Sequence, residues 1–461
     1  MRPLLALLVL AALAAGAARS AAQPAPPPNF VVIMAEAQGW AQTSVQMDDR
    51  VPGSRSRTFS TPGVERLARE GMRFTFGYAL SPRCTPSRAA LFTGRNPAAL
   101  QMTFVGIGRS AETPRTRLLP PEPVLELPAD TVTVAELLRA RGYATAHFGK
   151  WHVGRADPAR HGFEASDGPT NNGGPDQVAS PNPKQAIGMT DRGIAFLTAA
   201  ARAGRPFYVQ LSHYPDQERK EGREDRGGGP RPSEEVDRQL VRLLAALDAL
   251  GLAGNTVVAY TADHGGQGRT GNAPLSGGKG SVLEGGLRVP FLLRGPGIAP
   301  GVCSRVPVTA CDLLPTFAEL AGIPVPAAVD GGSLVPVLRD PAGRGQLLRP
   351  AEGLLFHFPH YDLGNGGPAT ALLLGTHKLI RSYETGAIRL FELESDPGET
   401  RDLAAAEPAR LRDLLARMDT RLRELGARLA RPNPNFDPAT APAEEPRRGE
   451  GRGAGQRREK R

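Results

Sequence analysis

The residues best placed to do chemistry fall in one short run, Cys84-Thr85-Pro86-Ser87-Arg88, followed by Ala89–Phe92 and then Thr93-Gly94-Arg95. Thr85 suits the N-cap of a helix and Pro86 its first turn. A helix over 86–92 would then hold the Cys84 thiol at its positive end, where unpaired backbone N–H groups and the dipole favour an anion. A buried structural cysteine is the other reading of the same residue. Lysine gives a second pointer. Of the 56 basic residues, lysine occurs only at 150, 184, 220, 279, 378 and 460. A chain that writes nearly every cation as arginine marks the places where a compact charge on a flexible stem is kept.

Apolar runs at Asn29–Ala35, Tyr143–Phe148, Phe207–Ser212 and Thr256–Ala262 must position these groups. They alternate with helical patterns at 62–71, 86–92, 131–141, 191–202, 233–250 and 310–321, which points to a large, mainly parallel α/β sheet flanked by helices. Gly142 and Gly251 stand where helix C-caps belong, and Ser233 suits an N-cap. The residues just past each run matter most: Glu36, then Lys150 and His152, then His213, then Asp263 and His264. Ligands of open α/β sheets bind beyond the carboxyl ends of the strands, so these groups are expected to share one site. After about residue 345 the pattern changes. Leu354–Phe358, Lys378–Tyr383 and Ile388–Leu393 read as antiparallel strands, and Ala406–Leu429 as a closing helix, giving a smaller α+β lobe.

Taken together, Cys-x-Pro-Ser-Arg with the following Thr-Gly-Arg resembles the signature of the type I, formylglycine-dependent sulfatases of the alkaline phosphatase superfamily. The resemblance runs from about Asn29 to Leu403. Gly142-Tyr143-Ala144-Thr145 with Gly149-Lys150-Trp151-His152-Val153-Gly154 is similar to the second family signature. Thr261-Ala262-Asp263-His264-Gly265-Gly266 is similar to the metal-binding turn. Asn272-Ala273-Pro274-Leu275, Gly278-Lys279-Gly280 and Glu284–Pro290 resemble the segment with the second active-site lysine, and Asp396-Pro397-Gly398-Glu399 the C-terminal lobe.

The resemblance implies an alkaline-phosphatase-like fold and a secreted sulfuric ester hydrolase acting on an aryl or carbohydrate sulfate. Cys84 would be oxidised by a formylglycine-generating enzyme during export. One hydroxyl of the hydrated aldehyde attacks sulfur and the other, on losing its proton, expels sulfate. Arg88 and Lys150 would hold those hydroxyls, His152 would assist elimination, and Lys279 would hold a sulfate oxygen. Calcium would be bound by Glu36, Asp263, His264 and residue 84. Relatives carry two adjacent aspartates after the first strand where this chain has Glu36-Ala37, so a weakened or altered cation site is expected. Gln217 stands where relatives have a substrate-contacting histidine. His213, His357 and His360 are further candidates for lining the substrate mouth, with a structural role as the other reading of His213.

The divisions expected are a signal peptide over 1–22, a catalytic domain over 28–345, an α+β subdomain over 346–430 and a disordered basic tail over 431–461. Arg2 before Leu4–Ala17, with small residues through Ala22, gives the first, and a retained anchor is the alternative. Export would place the protein in the periplasm or outside the cell, without a stable membrane anchor. The formal charge of +9 sits largely at the ends: residues 447–461 carry seven positive and two negative side chains. Without the tail, Arg2 and Arg19 the body is near +2, which gives no ground for a nucleic-acid partner. Cys303 and Cys311 read equally as a disulfide or as two free thiols. Two further functions stand beside the first: a sulfatase-like pseudoenzyme that binds sulfated ligands, and a phosphonate or phosphodiester hydrolase of the same superfamily.

Overall fold

A computed structural model describes residues 26–106, 115–172, 184–214, 232–267, 272–362 and 366–440. The expected signal peptide over 1–22, Gln217 and residues 441–461 lie outside them. Among the described residues no helix is long and apolar enough to cross a membrane.

Eight strands form the main sheet: β1 (Asn29–Ala35), β2 (Met72–Phe74), β3 (Ala144–Gly149), β4 (Ala165–Ser166), β5 (Phe207–Ser212), β6 (Thr256–Ala262), β7 (Leu292–Arg294) and β8 (Val302–Ser304). Their order is β8-β2-β7-β6-β1-β5-β3-β4, parallel throughout except for β7, which runs antiparallel to both neighbours. β1 is central and buried along its whole length. Phe30, Val32 and Met34 pack on one face, Val31, Ile33 and Ala35 on the other. Helices cover both faces, so the strand reads as one unbroken apolar run.

The expected helices are present with shifted ends: α1 (Pro62–Glu70), α2 (Cys84–Thr93), α3 (Val134–Ala140), α4 (Lys184–Arg202), α5 (Pro232–Ala249) and α6 (Leu313–Leu320). α6 follows a 3-10 turn at Ala310–Asp312, and the apolar run expected from Tyr143 starts one residue later as β3. Thr133 caps α3 in a reciprocal capping box with Glu136. Ser233 falls inside the first turn of α5 instead of capping it. Asp237, from α5, accepts hydrogen bonds from Gly63 and Val64 N–H, placing a carboxylate at the start of α1.

The small lobe is a four-stranded antiparallel sheet, β9 (Leu354–Phe358), β10 (Ala369–Leu374), β11 (His377–Ser382) and β12 (Ile388–Glu392), backed by α7 (Pro408–Glu424). β10 was not expected, and α7 is shorter than the run 406–429. One face of this sheet joins the main domain through Tyr78, Leu80, Val282 and Leu287; the other buries Leu414, Met418 and Leu422 of α7. A buried ionic cluster crosses the joint. Lys378 Nζ lies 2.8 Å from Glu284 Oε1 and 2.9 Å from Glu399 Oε1. Arg288 Nε and Tyr78 OH both donate to Glu284 Oε2, at 2.6 and 2.9 Å.

The tail expected to be disordered from Arg431 begins with structure. Arg431 and Pro432 pair with Leu119 and Leu118, and Asn433 Nδ2 donates to Thr116 O at 2.8 Å. Cys303 and Cys311 are both free thiols, near Thr75 Oγ1 and Arg95 O respectively.

Candidate active site

Four chain segments end at one place. β1 delivers Glu36, β3 delivers Lys150, β6 delivers Asp263 and His264, and α2 presents Cys84 in its first turn. Two glycines make the approach close enough. Gly149 has φ +95°, and a Cβ there would fall 2.1 Å from Ser212 O, so only glycine lets the chain turn Lys150 inward beside β5. A Cβ on Gly265 would fall 1.8 Å from Gly285 O, so the turn after β6 and the segment after Lys279 touch backbone to backbone. Thr85 does not cap α2; Arg83 holds the N-cap position without a side-chain bond. The Thr85 hydroxyl instead donates to His152 O at 2.8 Å, tying the helix start to the loop after β3.

Glu36 is the hub. Its carboxylate accepts from Lys150 Nζ at 3.0 Å through both oxygens and from Arg88 Nη2 at 2.9 Å. Cys84 Sγ lies 3.3 Å from Glu36 Oε1 and 3.3 Å from His264 Nε2. Arg88 is wholly buried; Nη2 also donates to Asp263 Oδ2 at 3.0 Å and Nη1 to Lys150 O at 2.7 Å. Ala37, at φ +51°, contributes its backbone: its N–H donates to Asp263 Oδ1 at 3.0 Å. His264 Nδ1 lies 2.9 Å from Gly265 O, which can only accept, so Nδ1 carries a proton and Nε2 faces the cluster. Lys279 Nζ stands 3.9 Å from Glu36 Oε1 with its side chain 15% exposed, the most open cation of the group.

The electrostatics follow from burial and charge. Burial would raise the Glu36 carboxyl, yet Lys150 and Arg88 hold it well below the usual carboxylate range. For Asp263, burial and the neighbouring Glu36 win and push it up to about 6. Burial and Glu36 oppose ionisation of Cys84, but Lys150 and His264 outweigh them and bring the thiol down to about 6. Burial, then Lys150 and Arg88, lowers His152 to about 3, which keeps its ring neutral. His152 has φ +55°, and its Nδ1 has no hydrogen-bond partner among the described residues.

The expected set Cys84, Arg88, Lys150, Lys279, Glu36, Asp263 and His264 is thus brought together, with His152 at its edge. His213 abuts it through its backbone, its carbonyl accepting from Arg88 Nη2 at 3.4 Å. His357 does not line a substrate mouth. It is buried, with Nδ1 at 2.7 Å from Thr370 Oγ1 and Nε2 at 3.0 Å from Arg428 O, so both ring nitrogens serve the small lobe. His360 is also buried, 2.8 Å from Thr103 Oγ1 and stacked on Phe104. Sequence reading missed the ion pair of Arg83 with Asp362, which ties the residue before Cys84 to the small lobe. Nothing in the spacing signals a partner 279 positions away.

Residues 28–323 match the family model described as Sulfatase, and residues 278–428 match N-sulphoglucosamine sulphohydrolase, C-terminal. The chain is 31% identical to steryl-sulfatase of Mus musculus, over 87% of this chain and 83% of that protein. It is 36% identical to arylsulfatase A of Homo sapiens, over 73% of this chain and 71% of that protein. Among solved structures, Ps i-CgsB in complex with k-i-k-neocarrahexaose superposes with a TM-score of 0.70 at 23% identity, covering 89% of this chain and 95% of that one. PsFucS1 sulfatase from Pseudoalteromonas sp. gives 0.67 at 22% identity, covering 95% and 96%.

Proposed function

The chain belongs to the sulfatase family, and from that premise we propose that it is an exported hydrolase of an aryl or carbohydrate sulfate, acting through formylglycine made from Cys84 by a partner enzyme. The observation that carries this reading is the convergence of Cys84, Lys150, Arg88 and Lys279 on one buried cluster at the carboxyl edge of the sheet. As the hydrated aldehyde, residue 84 supplies an oxygen nucleophile for sulfur. The first turn of α2 faces its backbone N–H groups toward developing negative charge there. Arg88 and Lys150 are already desolvated and fixed by Glu36 and Asp263, so they stabilise that charge without reorganising. Lys279, at the open side, meets the sulfate oxygens and the leaving group. His152, its ring held neutral at the edge of the cluster, would take the proton whose loss expels sulfate.

The family generally uses a metal ion, and Glu36, Cys84, Asp263 and His264 form a group able to hold one. Calcium takes about six to eight oxygen ligands. Here two carboxylates are partly engaged by Arg88 and Lys150, the third donor is a nitrogen, and Ala37 has no side-chain oxygen. This set does not fit calcium.

Ala37 also motivates a second reading, a pseudoenzyme that binds sulfated ligands without turnover. Mass spectrometry of the peptide containing residue 84, with multi-turnover hydrolysis of an aryl sulfate, separates the two. Formylglycine with sulfate release supports the hydrolase. An unmodified thiol from a host that has the converting enzyme, or an aldehyde with no turnover, sinks it.

A further inference from the structure

Arg83 is the residue before Cys84 and holds the N-cap position of α2 in an extended conformation. Its guanidinium crosses to the small lobe, where Nε donates to Asp362 Oδ2 and Nη2 to Asp362 Oδ1. Its Cζ lies 5.8 Å from the centre of the Phe104 ring, and that ring stacks on His360, itself 2.8 Å from Thr103 Oγ1. Two parallel bonds and an aromatic support fix a planar fork, which a lysine could not supply. The group is also close to the reacting centre. Burial opposes its charge, and Asp362, then Cys84 and Glu36, outweigh burial and hold it above the usual range. One edge of the fork is left over. Nη1 has no partner among the described residues, and the side chain is 18% exposed, slightly more than that of Lys279. The ion pairs of the active cluster do not involve it.

We propose that Arg83 is a specificity-determining residue: its Nη1 donates to an oxygen of the substrate's alcohol part, on a carbon beside the one that carries sulfate, and Asp362 is the positioning residue that aims it. That assignment rests on the hydrolase reading above, which puts the ester at residue 84 and so brings the neighbouring substituents of its alcohol to the residue before it. The oxygen read is uncharged. Asp362 already neutralises the guanidinium, so a second sulfate or a carboxylate drawn to Nη1 would set its charge beside that of Asp362. A hydroxyl or ether oxygen accepts the same bond without that repulsion. An alcohol with no oxygen there covers Nη1 and leaves it unpaired, which is how a polar site rejects an analogue.

Full-length C84A protein, which binds without turning over, is titrated calorimetrically with methyl hexoside monosulfates sulfated in turn at each free hydroxyl. Cyclohexyl sulfate, a ring of the same size with no other oxygen, and a hexoside disulfate complete the series. At least one monosulfate is expected to bind more tightly than cyclohexyl sulfate, and R83M on the C84A background should cut that preference by about 10-fold. R83K keeps a cation opposite Asp362 but loses the fork, and should cut it nearly as far, so the test survives if R83M fails to fold. D362N retains the fork and loses its aim, and should cut the preference by less. If R83M and R83K weaken every ester alike, Arg83 only positions residue 84 and the proposal falls. It falls equally if no monosulfate is favoured over cyclohexyl sulfate, or if the disulfate is the favoured ligand and that favour is what R83M removes. Converted wild type that releases sulfate from none of these esters would sink the hydrolase reading, while the binding preference is scored independently of turnover.

Discussion

Two buried clusters in this molecule have nearly the same ionic make-up and differ in how their groups are engaged. The first joins Glu36 and Asp263 to Arg88 and Lys150; the second joins Glu284 and Glu399 to Lys378 and Arg288. In the second, Arg288 is also enclosed by the rings of Trp40, Phe76 and Tyr78, and Glu399 Oε2 accepts Glu284 N–H at 2.7 Å. Its charges answer one another across the joint between the lobes. The first holds in addition a thiol, an imidazole Nε2 and the more open Lys279, none of which the ion pairs require. Perturbed carboxylates occur in both, since burial pushes Glu399 up to about 7 just as it raises Asp263. Burial of charge therefore does not mark a site; surplus donors beside a nucleophile do.

Substitutions can break or sharpen that contrast. C84A should abolish turnover, by more than about 10³-fold in kcat, with an unchanged circular dichroism spectrum, because no other side chain supplies the nucleophile. K150M should lower kcat by about 10²–10³-fold, read with an aryl sulfate, by removing a fixed cation from the developing charge. Arg88 still neutralises Glu36 in that variant, so its unfolding midpoint in urea should fall only modestly. K378M is the counterpart: it leaves Glu284 with Arg288 and takes from Glu399 its cation, and should cost about 3–5 kcal/mol in urea unfolding while kcat per folded molecule holds. Equal stability losses in the two lysine variants would erase the distinction between the clusters.

The sequence made the four long strands legible because each is apolar on both faces and ends on a polar group: Glu36, Lys150, His213 or Asp263. The active cluster was legible for the same reason, since those groups had to meet at one edge. β7 was not, because Leu292–Arg294 is too short to show a period; β10 was missed although Gly366-Gly367-Pro368 and Gly375 frame its apolar run. His357 looked accessible because its bonds to Thr370 Oγ1 and Arg428 O depend on chain 13 and 71 positions distant. Thr85 looked like a cap because its bond to His152 O is equally invisible to local spacing.

The interlobe cluster also predicts a pH dependence. With its folded value near 7 against an ordinary 4.5, Glu399 keeps a proton that the unfolded chain has already released. Its contribution to stability is full below about 4.5 and lost as pH rises through about 7. Asp263 and Asp237, both pushed up to about 6, slope the same way. The difference between wild type and E399Q in thermal melts from pH 5 to 8 isolates Glu399, and the variant should show the flatter profile. Smallest of all, truncation after Thr440 should leave melting and turnover unchanged. Truncation after Leu429 should lower the melting temperature slightly, by removing the pairing of Arg431–Pro432 with Leu118–Leu119.

The reversed strand β7 has a consequence for how the active edge can be altered. In the parallel strands the chain leaves the sheet at that edge, and a helix must carry it back. β6 leaves there too, but β7 starts there, pairing Leu292 with Tyr260. The stretch between Ala262 and Leu292, with Asp263, His264 and Lys279, therefore departs and returns on neighbouring strands with no crossover to rebuild. It is a cassette with adjacent splice points. A stretch of different length from a relative can be grafted between Tyr260 and Leu292 without altering the order or direction of any other strand, provided the backbone contact of Gly265 with Gly285 and the interlobe residues Val282, Glu284, Leu287 and Arg288 are kept.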